Sequence, residues 1–266
     1  MSRSHLPILV VEDNRTNQIV IEKMLERWGF ENITLMENGV NAIEILSEKR
    51  FAVVLMDIQM PEMDGYTATG IIRDPSSGVL DHQVPVIAMT AHATERDRKR
   101  CLDAGMNDYL SKPVNPVDFL DKMQKWSAEL PAFARIMTEE ALEDIALKLP
   151  DSTVCYDPAE LLANIGNDRA TFRTVNEIFL SDTTSQLLKL KELIDGGQYS
   201  EAAYLAHQIK GAANAVGGGE FAAICAKIEL AAAAEDRTLA IDLFEWSSAS
   251  FDRLQTAIAL KLKTGE

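Results

Sequence analysis

Five short apolar runs, each followed by a stretch with helical spacing, fill the first 125 residues, and beyond residue 157 only helical spacing remains. Residues 6–11, 33–36, 52–56, 84–89 and 107–110 read as strands, and 14–28, 38–49, 64–73, 94–104 and 116–125 as the helices between and after them. Alternation of this kind builds an α/β domain, a doubly wound parallel sheet with helices on both faces. The later patterns, at 158–164, 168–194, 198–214, 219–234 and 237–262, are punctuated by Gly196, Gly197, Gly217, Gly218 and Gly219 and predict an all-α antiparallel bundle of four long helices. Residues 127–156 hold Pro131, Pro150 and a helix-like segment starting near Thr138, and read as a linker. The expected domains are therefore 1–126 and 157–266, the second opening at Asp157-Pro-Ala-Glu160 as a capping box with proline at the first helical position.

The net charge of −15 divides as −5 over 1–126, −4 over 127–156 and −6 over 157–266. An acidic balance throughout repels nucleic acid and anionic membranes, so the expected partner is another protein. Residues 1–7 lack the apolar core of a signal peptide and no run of about 18 apolar residues occurs, so the expectation is a cytoplasmic protein without direct membrane insertion. Cys101, Cys155 and Cys225 are widely spaced and form no metal-type pair, which reads as reduced structural thiols.

In an open parallel sheet, ligands bind beyond the carboxyl ends of the strands. Glu12 and Asp13 follow the first strand, Asp57 ends the third, Thr90 the fourth, and Lys112 follows the fifth. Carboxylates gathered there need a cation, and Mg²⁺ suits hard oxygen ligands that bridge to phosphate. Asp57 is then a candidate nucleophile for a phosphoryl group, with Thr90 and Lys112 on the phosphate oxygens. Singly, Glu12 or Asp13 could cap a helix and Thr90 could end a strand; the set of five carries the reading.

The segments Val10-Val-Glu-Asp-Asn14, Leu55-Met-Asp-Ile-Gln-Met-Pro-Glu-Met-Asp-Gly65, Met89-Thr-Ala91 and Tyr109-Leu-Ser-Lys-Pro113 make residues 5–126 resemble the receiver domain of two-component response regulators. The resemblance implies a flavodoxin-like fold with strand order 2-1-3-4-5 and a Mg²⁺ site from Asp13, Asp57 and the backbone carbonyl of Gln59, with Glu12 on a metal-bound water or the ion. It also implies a switch in which Thr90 moves toward phosphate and Tyr109 follows; Tyr109 as a packing aromatic is the alternative. Gln59 and His92 flank the expected pocket, where they could govern water access, with His92 as an ordinary loop residue the competing reading. His5 and His82 read as solvated surface positions.

The other candidate is His207. The apolar stripe of its helix runs Ala202, Ala206, Ile209, Ala213 and Val216, and His207 is expected beside it, toward solvent. Lys210 lies at i+3 and Gly211 at i+4. Glycine inside a helix costs about 1 kcal/mol relative to alanine, and its lack of bulk would let an acidic partner close over the imidazole. A neutral imidazole supplies a nucleophilic nitrogen near neutrality, and Lys210 would offset phosphoryl charge.

His207-Gln-Ile-Lys-Gly-Ala-Ala-Asn-Ala-Val-Gly217, with Asp157-Pro-Ala-Glu-Leu-Leu162 and Cys225-Ala-Lys-Ile-Glu229, resembles the histidine phosphotransfer (HPt) domain. Ala212 and Ala213 depart from the hydroxyl residue common there. Together the two resemblances imply a phosphorelay module, either the C-terminal relay portion of a hybrid sensor histidine kinase or a separate protein of the same composition. An upstream kinase histidine would donate to Asp57, Asp57 would exchange with His207, and His207 with a downstream response regulator. No glycine-rich ATP-binding module follows His207, so autophosphorylation is not expected. The rival reading keeps the receiver as an allosteric switch with the bundle as a docking module only. A metal-dependent phosphatase is disfavoured because Gln59 stands where that class needs a second acid.

Overall fold

A computed structural model describes residues 5–90, 95–112, 114, 116–126 and 155–264. Of the linker expected over 127–156, residues 127–154 with the helix-like segment lie outside the described residues, as does His92. The chain divides into two compact units.

The first unit has five parallel strands, β1 (Ile8–Val11), β2 (Ile33–Met36), β3 (Val53–Asp57), β4 (Val86–Thr90) and β5 (Asp108–Ser111), in the order β2-β1-β3-β4-β5. Between and after them run α1 (Arg15–Arg27), α2 (Gly39–Glu48), α3 (Gly65–Arg73), α4 (Glu95–Asp103) and α5 (Pro116–Trp126). β1, β3 and β4 are buried along their whole lengths, which is why they read as unbroken apolar runs rather than alternating ones. The edge strand β5 does alternate. Asn14, Asn38 and Asp64 cap α1, α2 and α3, each side chain accepting a backbone N–H from three residues on. These caps start the helices just past the strand ends and turn the intervening loops toward one sheet edge.

The second unit contains α6 (Ala159–Asn164) and four longer helices, α7 (Arg169–Asp195), α8 (Tyr199–Val216), α9 (Gly219–Ala233) and α10 (Arg237–Thr264). Helix α8 packs on α7 and α9, and α10 on α9 and α7, which closes a four-helix ring. Phe179, Phe221 and Phe251 meet in its interior, with ring centroids 5.2 Å apart for Phe221–Phe251 and 6.2 Å for Phe179–Phe251. A fully buried side chain of this kind contributes about 1.5–3 kcal/mol.

The opening of this unit differs in detail from the expected capping box. Helix α6 begins at Ala159, Pro158 occupies the cap position, and Asp157 Oδ1 accepts from Ala159 N at 3.0 Å. A tertiary contact sets this geometry. Asp157 N donates to Gly217 O at 2.8 Å, and Gly217, with φ +90°, would bring a Cβ within 1.8 Å of Asp157 O. Glycine therefore both ends α8 and lets the entering chain lie against it.

Candidate functional site

Asp57 ends the central strand, and parallel pairing puts it level with Met89 of β4. The residue is buried, 5% exposed, as is Glu12, at 1%. Lys112 Nζ lies between them, 2.6 Å from Glu12 Oε2 and 2.7 Å from Asp57 Oδ2. Asn17, one turn into α1, donates from Nδ2 to the other Glu12 oxygen at 2.9 Å. Asp13 completes the group: one carboxylate oxygen from each of Glu12, Asp13 and Asp57 falls within 4.8 Å of the others.

Three carboxylates and one ammonium leave a formal charge of −2 in a largely buried cluster. Each carboxylate pair at such a distance repels by roughly 3–4 kcal/mol at an effective dielectric near 20. Burial pushes the Asp57 carboxyl up to about 7, with Lys112 pulling it down and Glu12 and Asp13 raising it further. Burial also works against the charge of Lys112, but Asp57 and Glu12 together outweigh it and hold the ammonium above the ordinary lysine value. The all-oxygen donor set and its residual double negative charge fit a hard divalent cation such as Mg²⁺.

Two backbone features shape the loop after Asp57. Gln59 N donates to Asp57 Oδ1 at 3.4 Å while the Gln59 side chain is exposed. Gly65 N donates to Ile58 O at 2.9 Å, and a Cβ on Gly65 would stand 2.2 Å from Asp57 O. The loop thus curls back onto the backbone of the acceptor residue, and only glycine fits. Thr90 is buried at the end of β4, and its carbonyl accepts from Lys112 N at 2.7 Å. Tyr109 pairs with Ala88 and Ser111 with Thr90, so Thr90 and Tyr109 are diagonal neighbours on one sheet face. The half-buried Tyr109 ring carries Lys122 Nζ 5.2 Å from its centroid. Lys122 also pairs with Asp108 at 2.7 Å.

In the bundle, the structure corrects one expectation. His207 does not face solvent; it is 9% exposed and Lys210 6%. The cause is Glu229 on α9, which draws both inward: His207 Nδ1 lies 2.9 Å from Glu229 Oε1, and Lys210 Nζ donates to Glu229 Oε2 at 2.7 Å. Lys210 Nζ is also 3.1 Å from His207 Nδ1. Burial alone would raise the Glu229 carboxyl, but hydrogen bonds from His207 and Lys210 overcome it and bring Glu229 down to about 2. Nδ1 is therefore occupied. Nε2 is not sealed in, because the only buried side-chain N or O atoms lacking a partner among the described residues are Ser77 Oγ and Thr183 Oγ1. Gly211 follows on the same helix, half-buried.

Elsewhere, His5 is exposed as expected, whereas His82 is half-buried with Nδ1 2.9 Å from Ile72 O. Cys101, Cys155 and Cys225 are free thiols. Among the described residues no helix is long and apolar enough to cross a membrane.

The response regulator receiver domain model matches residues 8–124 and the Hpt domain model residues 175–260. The chain is 36% identical over 120 residues to the sensor protein GacS of Pseudomonas syringae pv. syringae, covering 45% of this chain and 13% of that protein. It is 29% identical over 230 residues to the signal transduction histidine-protein kinase BarA of Shigella flexneri, covering 86% of this chain and 24% of that one. Among solved structures it is similar to the receiver domain of the sensor histidine kinase PA1611 from Pseudomonas aeruginosa PAO1, which has a magnesium ion coordinated in its active site cleft. That similarity is 43% identity over 46% of this chain and 98% of that one, with a TM-score of 0.42. The chain spans between 6 and 24% of the length of the curated relatives it matches. With both models matched in sequence order, the chain is a response regulator receiver domain followed by an Hpt domain.

Proposed function

We propose that the chain is a two-acceptor phosphorelay module in which Asp57 and His207 hold the same phosphoryl group in turn. The observation that carries this reading is that each acceptor stands beside its own lysine, Lys112 half-buried and Lys210 buried: Lys112 Nζ is 2.7 Å from Asp57 Oδ2, and Lys210 Nζ is 3.1 Å from His207 Nδ1. A cation is needed wherever a dianionic group arrives in a low-dielectric site.

In the receiver, an Asp57 oxygen attacks the phosphorus of a phosphohistidine presented by an upstream sensor kinase. The P–N bond breaks as the P–O bond forms, and the departing imidazole recovers its electron pair. Lys112 and the Thr90 hydroxyl take the phosphoryl oxygens. Glu12, Asp13, Asp57 and the backbone carbonyl of Gln59 would hold Mg²⁺, which when bound supplies the positive charge that lets Asp57 react as a carboxylate. Thr90 and Tyr109, sharing one sheet face, are the switch pair.

In the second step His207 Nε2 attacks the phosphorus of phosphoaspartate. The P–O bond breaks, the N–P bond forms and the Asp57 carboxylate is regenerated. Nδ1 keeps its proton against Glu229, which leaves the lone pair on Nε2, and Lys210 offsets the incoming charge. Gly211 leaves room for the partner pocket, and a downstream response regulator receiver then takes the group from His207. If the two acceptors of one chain reach each other, tethering raises their effective concentration; otherwise exchange is intermolecular.

The test is phosphotransfer from a phosphorylated kinase to wild type, Asp57→Asn and His207→Gln, scoring acid-labile phosphate on each domain. Asp57→Asn is expected to lose label on both domains and His207→Gln on the bundle alone. A receiver that labels while His207 never does would favour the docking-module reading instead.

A further inference from the structure

Helix α10 carries a feature that phosphotransfer does not use. Leu239, Trp246, Arg253 and Leu260 recur at seven-residue intervals, and their exposures are 46%, 64%, 55% for the Arg253 side chain, and 62%. Residues seven apart lie on one side of a helix, so these four form a stripe about 32 Å long facing away from the bundle. Exposed Ala249 sits on the same line at its midpoint.

The order along the stripe is self-complementary. Turned end for end about a point between Ala249 and Ser250, Leu239 of one copy meets Leu260 of another, and Trp246 meets Arg253. Arg253 is held at the border of this stripe by its ion pair with Glu220 of α9, and a guanidinium on an indole face is a favourable cation–π pair. The flanking charges follow the same inversion. Residues 235–248 hold four acidic side chains and one basic, and residues 249–264 hold three basic and one acidic. An acidic start and a basic end complement the helix's own dipole, which accounts for the charges but not for an exposed tryptophan and two leucines in line with them. Antiparallel pairing sets each acidic half against a basic half, whereas parallel pairing would oppose like charges.

We propose that this face of α10 is a self-association surface on which a second copy of the chain pairs antiparallel about Ala249. Three large apolar side chains per copy are fewer than a standard interface of about 1,600 Å² supplies, so the dimer is weak and concentration-dependent.

Sedimentation equilibrium on the full chain tests this up to about 1 mM, the weak end of measurable association. The expected result is a reversible monomer–dimer equilibrium whose dissociation constant rises about tenfold or more in Trp246→Ala, with helical circular dichroism unchanged. Register is read separately in a Cys155→Ser background under mild oxidation. Ala249→Cys should form a disulfide-linked dimer, while Thr256→Cys should not, because its antiparallel counterpart lies about 20 Å away along the axis. A strictly monomeric chain, a dimer indifferent to Trp246→Ala, or equal cross-linking at positions 249 and 256 would each overturn the proposal. A heterologous partner seated on this stripe would show itself by the first of these outcomes.

Discussion

Glu229 holds His207 from the neighbouring helix, its Oε1 2.9 Å from Nδ1, while its other oxygen accepts from Lys210 at 2.7 Å. One carboxylate thus orients the imidazole and anchors the nearby cation, and in the proposed relay it also keeps the proton on Nδ1. Glu229→Gln preserves an acceptor for the Nδ1 proton and should change the rate of phosphoryl uptake by His207 only a few-fold. Glu229→Ala removes the acceptor and leaves Lys210 buried without its carboxylate. A hydrogen bond to a charged group contributes about 1.5–3 kcal/mol, so uptake should fall by about tenfold or more. Single-turnover transfer from a phosphorylated receiver measures both variants. Nitrogen NMR shifts of His207 should report a proton on Nδ1 in wild type and Glu229→Gln, and a mixture of tautomers in Glu229→Ala.

The same carboxylate makes the bundle acid-sensitive in a defined window. Its folded-state pKa, about 2, lies below the ordinary value of 4.5, so the unfolded chain takes up the proton first. The stabilisation is fully present above pH 4.5 and is lost as pH falls from there toward 2. Glu229 is partly solvated, and after screening the contribution is about 1–2 kcal/mol. Urea unfolding at pH 6 and pH 3 should show wild type losing more stability than Glu229→Gln by that amount; equal losses would place the pH dependence elsewhere.

Lys112 is the only cation paired with Glu12 and Asp57 in the described contacts, and both acids are buried. Removing one partner of a buried ion pair typically costs 3–5 kcal/mol, so Lys112→Ala should lower receiver stability by about 3 kcal/mol without divalent ions. Mg²⁺ should restore part of it. In wild type, Mg²⁺ at about ten times its dissociation constant should add roughly 1.4 kcal/mol, and Asp13→Asn should abolish most of that gain. Thermal melts with and without chelator decide the point independently of phosphotransfer. Chelator should also stop Asp57 labelling.

The receiver was legible from its residues because each site group sits at a strand end, and strand ends are where periodicity breaks. Asp57 and Thr90 end β3 and β4 and Lys112 follows β5, each one residue beyond the partner of the one before, so locating the strands locates the candidate site. The bundle was legible as a fold but less so as a site. The buried stripe on α8 is Ala202, Ala206, Ile209, Ala213 and Val216 as its spacing predicts, yet His207 beside it is buried too. Its burial depends on Glu229, twenty-two residues away on another helix, and no local pattern encodes that pairing. Asn17 escaped notice similarly: a polar residue in the first turn of α1 looks like solvated surface until Glu12 is seen to need a donor. Gly65 is a third case, since its need for glycine arises from the return of the loop onto Asp57.

That return gives a last prediction. Gly65 opens α3, and an added methyl would sit 2.2 Å from Asp57 O and 3.0 Å from Met56 Cγ. The methionine side chain can move aside, but the carbonyl belongs to the central strand, paired on both sides, and cannot give without disturbing the sheet. Gly65→Ala must therefore shift the loop instead, stretching the Gly65 N to Ile58 O bond and moving Gln59 N away from Asp57 Oδ1. Overpacking of this kind costs about 1–3 kcal/mol. The acceptor should suffer more than the fold: the receiver should still unfold cooperatively at a lower temperature, while Asp57 labelling falls at least tenfold. Gly70→Ala on the same helix is the control, because a methyl there meets nothing within 4 Å. It should match or exceed wild-type stability, since alanine favours a helix interior by about 1 kcal/mol over glycine. If the two variants label alike, the close approach at Gly65 is not what positions Asp57.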